Sequence, residues 1–249
     1  MFDLPEIKIL ETGSSGNFYS IQQDDQVLLV EAGAKDEKLI ADNNIVGCLI
    51  SHEHGDHAKY AHIYARLGID CYMTPGTIAA LDANHYRFRP IEYGFDNRKE
   101  VGDFTVVAFE VNHDAAEPAG FLIQAPGDKR ILYVSDTSHI KYKFRDISVL
   151  MIECNYDDDT LQENMLSRKV AVSHKQRVSS SHLSLKMVLD FLRKNDISKL
   201  QEIYLLHLSD MNAHKKKMID QIEGLAGVPV YTKEGNQIDK RKIRIQREG

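Results

Sequence analysis

Short apolar runs recur along the chain, many alternating with polar positions and several followed closely by glycine, asparagine or aspartate. Residues 7–11, 18–22 and 27–31 follow this pattern and predict three short strands. Gly13-Ser14-Ser15-Gly16-Asn17 and Gln23-Asp24-Asp25 separate them as turns. The run Ile45, Val46, Cys48, Leu49, Ile50 predicts a buried strand, with Gly55 allowing a sharp turn beyond its end. From there His57, Ala58, Tyr60, Ala61, Ile63, Tyr64, Ala65 and Leu67 recur at helical spacing, and Gly68 closes that helix. A short strand over 69–73 and a helix over 77–81 follow, then further strands over 104–111, 129–135, 148–153 and 202–206. Many short strands in two runs, each followed by helices, predict an α/β (α+β) fold of two sheets faced by helices.

The 249 residues are 43% hydrophobic and 27% charged, enough to bury a real core, and no linker or repeat divides them. A single domain over 1–249 is the expectation. No apolar stretch reaches the length of a membrane span, and the first residues lack a signal-peptide pattern. Cys48, Cys71 and Cys154 each lie in apolar surroundings without close pairs, which suits reduced thiols and a cytoplasmic location. The net charge of −6 argues against non-specific coating of nucleic acid while permitting a local basic groove. One such run lies in 167–178, where Arg168, Lys169, Lys175 and Arg177 stand without an acidic residue. A solvated helix face is its bland meaning.

Candidate chemistry concentrates in Ser51-His52-Glu53-His54-Gly55-Asp56-His57, at the end of a predicted strand. Side chains alternate along an extended chain, so His52 and His54 point to one side. Asp56 and His57 follow the turn and can face a second point. Imidazole and carboxylate at this spacing suit a borderline divalent ion such as zinc, where a polar loop with a capping aspartate is the alternative. His-x-His-x-Asp-His at a strand end resembles the signature of the metallo-β-lactamase superfamily, whose members use it to hold two metal ions.

Further segments are similar to the YycJ/WalJ branch of that superfamily: Gly13–Asn17, the stretch from His113 to Phe121, Glu153-Cys154-Asn155, Ser181-His182-Leu183-Ser184 and His207-Leu208-Ser209. The first of these is otherwise a plain turn or a cradle of N–H groups for an anion. The resemblance implies the αββα sandwich. It also implies one ion on His52, His54 and His113 and another on Asp56, His57 and His207, with Asp136 bridging. Glu31 falls where the superfamily usually has an aspartate that steadies the ligands. His182 matches a histidine that contacts the scissile phosphate in related nucleases, with helix capping by its neighbours as the alternative. Asp56 would orient the attacking water. The ions would be zinc or manganese. The branch is associated with DNA exonucleases, and the basic run bearing Lys175 and Arg177 suits a phosphate-rich substrate. The expected function is therefore a metal-dependent 5′→3′ exonuclease on duplex DNA, with no membrane partner. A phosphodiesterase for small or cyclic nucleotides is the runner-up, and a non-catalytic metal-bound DNA-binding protein the third reading.

Overall fold

The computed structural model describes residues 3–81, 85–167 and 178–236. Lys175 and Arg177, with the rest of 168–177, lie outside these residues. Two sheets carry the fold. The first has strands β1 (Glu6–Glu11), β2 (Phe18–Gln23), β3 (Gln26–Val30), β4 (Asn44–Leu49), β5 (Cys71–Met73) and β6 (Phe88–Pro90), in that spatial order. The second has β7 (Lys99–Val101), β8 (Phe104–Glu110), β9 (Ala119–Ala125), β10 (Lys129–Val134), β11 (Val149–Glu153), β12 (Glu202–Leu206) and β13 (Val230–Tyr231). In both sheets antiparallel pairing gives way to parallel pairing, at β3/β4 and at β10/β11.

Alternation within the strands builds the layers. Leu28 and Val30 of β3, Ile131 and Tyr133 of β10, and Tyr204 and Leu206 of β12 join the core between the sheets. Their neighbours Val27, Leu29, Leu132, Val134, Ile203 and Leu205 face outward into two further apolar layers. Helices complete those layers: Tyr64 and Ala65 on the first sheet, Val188, Leu192, Met218 and Ile222 on the second. Strands buried on both faces read as continuous apolar runs. This is the αββα sandwich expected from the sequence.

Differences from the predicted elements have local causes. The helix expected over 57–67 is two helices, Gly55–Ala58 and Ala61–Arg66. The break occurs because Tyr60 N–H donates to Ala32 C=O across the structure at 2.8 Å, leaving the helical ladder. Gly55 is not the sharp turn: the chain turns at His54 (φ −59°, ψ 146°), and Gly55 opens the helix. Strands β6, β7, β9 and β13 and the helix Asp158–Leu166 have no counterpart in the sequence reading. Among the described residues no helix is long and apolar enough to cross a membrane.

Candidate metal centre

β1, β3, β4, β8, β10, β11 and β12 deliver their C-terminal ends to one rim, where open α/β sheets place ligands. His52, His54 and His57 follow β4, His113 follows β8, Asp136 follows β10, Glu153 ends β11 and His207 follows β12. Three of the residues delivered here hold positive φ without being glycine: Glu31 (66°), Asp136 (46°) and His207 (51°). Such backbones cost about 1–3 kcal/mol each and persist where surrounding bonds fix them. Glu31 N–H donates to Leu49 C=O at 2.7 Å, and His207 N–H to Thr12 Oγ1 at 2.7 Å. The chain thus turns abruptly at three strand ends and aims each side chain into one cluster.

Within the cluster, ligand atoms of His52, His54 and His113 lie within 4.8 Å of one another, as do those of His52, His57 and Asp136. Asp136 presents one carboxylate oxygen to His57 Nε2 (3.3 Å) and His113 Nε2 (3.8 Å), and the other to His207 Nδ1 (2.7 Å). Burial alone would push the Asp136 carboxyl up, but the His207 and His57 imidazoles more than reverse this and hold it well below the usual range. His52 goes the other way: burial, reinforced by His57, pushes its imidazole down and favours the neutral ring that binds metal.

Hydrogen bonds fix the rings. Ser51 Oγ lies 2.8 Å from His52 Nδ1, leaving His52 Nε2 buried without a partner among the described residues. His113 Nε2 faces His54 Nδ1 at 3.2 Å, two nitrogens that can share at most one proton. Asn17 Oδ1 accepts from Gly13 N–H and Tyr19 O–H, which turns its amide nitrogen toward His57 Nε2 at 3.0 Å. His57 Nε2 also faces Asp136 Oδ2 at 3.3 Å, and Nδ1 faces Glu31 Oε1 at 3.4 Å; burial alone would push this imidazole down, but Asp136 and Glu31 more than reverse it and hold it well above its ordinary value. Glu31, wholly buried, also accepts from Tyr133 O–H (2.8 Å) and Ser51 N–H (3.3 Å). An unpartnered buried imidazole nitrogen, facing lone pairs and a carboxylate open to both sides are what a divalent-metal centre requires. The residues fit such a group.

The placement of each expected residue is not uniform. Asp56 reaches His57 Nε2 at 3.5 Å but joins none of the tight ligand groups among the described residues. His207 groups instead with Asp136, Glu153 and His182. His182 Nδ1 is bound to Glu153 Oε1 at 2.6 Å, and Glu153 Oε2 accepts the N–H groups of Leu183 (3.2 Å) and Thr137 (3.3 Å). Burial lowers the affinity of His182 for a proton, yet Glu153 more than offsets it and raises the imidazole above its ordinary value. The following helix, Leu185–Lys194, is capped by Ser184 Oγ.

Sequence reasoning left Glu153 and Asn155 without a role and missed Asn17, Ser51 and Tyr133. Asn155 donates to His207 C=O at 2.9 Å and so positions that histidine. The available signal was Glu153 itself, a carboxylate closing the otherwise apolar strand Val149–Glu153. The Gly13–Asn17 loop is a turn in which Gly13, Gly16 and Asn17 spend their N–H groups internally or on Asp56 C=O, so these three do not cradle an anion.

Comparison with known proteins returns a family model described as the beta-lactamase superfamily domain, matching residues 29–208. Exodeoxyribonuclease WalJ of Streptococcus pneumoniae is 28% identical over 228 residues, covering 84% of this chain and 83% of that protein. Exodeoxyribonuclease YycJ of Bacillus anthracis is 26% identical over 226 residues, covering 84% of each. Among solved structures, the metallo-beta-lactamase fold protein YhfI from Bacillus subtilis superposes with a TM-score of 0.68 at 16% identity, over 92% of this chain and 97% of the other.

Proposed function

The chain belongs to the beta-lactamase superfamily, and from that premise we propose that it is a DNA exonuclease, degrading duplexes from their 5′ ends. It is a metal-dependent hydrolase. The observation that carries the reading is the convergence of His52, His54, His57, His113, Asp136 and His207 from both sheets on one buried cluster, with Glu153 and His182 at its side. Two relatives named as exodeoxyribonucleases, matched over most of this chain, support DNA as the substrate.

In this reading His52, His54 and His113 would hold one divalent ion and Asp56, His57 and His207 a second, with Asp136 available to both. Zinc or manganese bound there would supply Lewis acidity toward a phosphoryl oxygen and ease deprotonation of water. The chain's own groups do the rest. Asp56, at the open side of the cluster, orients the attacking water. Glu153 holds the Nδ1–H of His182, leaving Nε2 to give a proton to the departing oxygen. Lys175 and Arg177 join the proposal as contacts to backbone phosphates.

The test is a substrate panel with manganese and with zinc. Linear duplex DNA should shorten progressively while covalently closed circles survive, because an exonuclease needs an end. Efficient cleavage of cyclic mononucleotides with no action on DNA would replace this reading with that of a small-nucleotide phosphodiesterase.

A further inference from the structure

Residues 111–118 join β8 to β9 and carry His113; they form neither helix nor strand. The β8/β9 ladder stops at Glu110 and Ala119, short of His113, so strand pairing does not fix that side chain. The start of the loop is tied to the second sheet. Asn112 N–H donates to Thr137 Oγ1 (3.0 Å), and Asn112 C=O accepts from Ser138 N–H (3.1 Å). Its end is tied to the first. Ala116 N–H donates to Glu53 Oε1 (2.8 Å), Tyr93 O–H to Pro118 C=O (2.8 Å), and Ala119 N–H to Ser51 C=O (2.9 Å). Glu117 engages twice: its C=O accepts from the buried Thr74 hydroxyl (2.6 Å), and its Oε2 accepts from Gly76 N–H (2.5 Å).

These partners all stand at the rim that bears the metal cluster. β4, β5 and β6 are parallel, so Ser51, Glu53, Thr74, Gly76 and Tyr93 follow the C-terminal ends of neighbouring strands. Thr74 caps the helix Pro75–Ala80, whose first turn receives the Glu117 carboxylate. The approach is close: a Cβ on Gly76 would lie 2.5 Å from Glu117 Cβ. Glu53 turns inward although its Oε2 is then buried without a partner among the described residues. An unpaired buried oxygen costs stability, so the bond to Ala116 is kept against a penalty.

We propose that Glu53 and Glu117 are positioning residues for His113. They latch its loop to the first sheet, so that its Nε2 stands 3.2 Å from His54 Nδ1. The inference rests on the reading of this cluster as a metal centre and deepens it by naming what sets the affinity of one ion. Residues that orient a ligand from outside the coordination sphere change metal affinity by roughly 10–100-fold when lost.

The experiment measures zinc dissociation constants of the full chain by chelator competition, beside urea unfolding of the metal-free protein. Glu53→Ala should weaken one zinc by roughly 10–100-fold. Glu53→Gln keeps an oxygen for Ala116 N–H and should bind zinc as the wild type does. Glu117→Ala should weaken the same zinc. Glu53 is partly exposed, so its two variants decide the matter even where Glu117→Ala does not fold. Asn195→Ala is the control for lost stability, since it removes the acceptor of Phe144 N–H (2.7 Å) far from the rim. It should lower the urea midpoint and leave zinc affinity alone. Wild-type zinc affinity in Glu53→Ala, or a loss in Asn195→Ala as large as that in Glu53→Ala, overturns the latch alone. An equal loss in Glu53→Gln and Glu53→Ala also overturns it, because the charge and not the bond would then matter. A wild-type protein that binds neither zinc nor manganese overturns the latch together with the metal-centre reading.

Discussion

Glu153 and His182 show how one residue's chemistry depends on another's burial. Glu153 has no exposed surface, and a lone carboxylate there would be costly to ionise. Two backbone N–H groups and the His182 imidazole provide the compensation, which also fixes the His182 ring. His182→Ala should therefore retain its metal, measured by elemental analysis, and its fold, while turnover on linear duplex falls by roughly 10²–10⁴-fold. A variant that cuts at the wild-type rate would remove His182 from the chemistry. The motif residues were legible because they are neighbours in sequence: His52, His54, Asp56 and His57 announce themselves within a few positions. Their supports were not. Tyr133 meets Glu31 across 102 positions and Asn17 meets His57 across 40, distances at which no local pattern survives.

Strand ends rather than strands do the functional work, and one close approach holds two of them together. Gly33, just past β3, packs so tightly on the motif that a Cβ there would lie 1.7 Å from Asp56 C=O and 2.6 Å from Asn17 N. Gly33→Ala must push the motif away from the Gly13–Asn17 loop. It should cost at least about 3 kcal/mol in urea unfolding and lower the bound metal. Gly55, inside the motif, has nothing within 4 Å of such a Cβ, so Gly55→Ala should keep both stability and metal. If the two substitutions behave alike, the contact at Gly33 does not set the site. The doubly buried strands were readable as apolar runs, but β6, β7 and β13 are too short for periodicity to register. β9 was hidden because Ala119 and Gly120, at its start, carry little strand preference.

Across the whole molecule the cluster joins the two sheets. His52, His54 and His57 belong to the first sheet's rim, and His113, Asp136 and His207 to the second's. The core between the sheets is built of aliphatic and aromatic side chains, whereas at the rim the layers meet through ionisable groups. An ion bound by ligands of both sheets would favour the folded state over the unfolded chain, which cannot assemble them. The gain follows from mass action and is about 2.7 kcal/mol when free metal is a hundred times its dissociation constant. Thermal unfolding of the wild-type protein should rise in midpoint as zinc or manganese is added, and fall back on chelation. In His52→Ala/His54→Ala the same titration should have a much smaller effect, because the first sheet then contributes fewer ligands. A midpoint indifferent to metal in the wild-type protein, or equally responsive in the double variant, would mean that these residues do not bind an ion between the sheets.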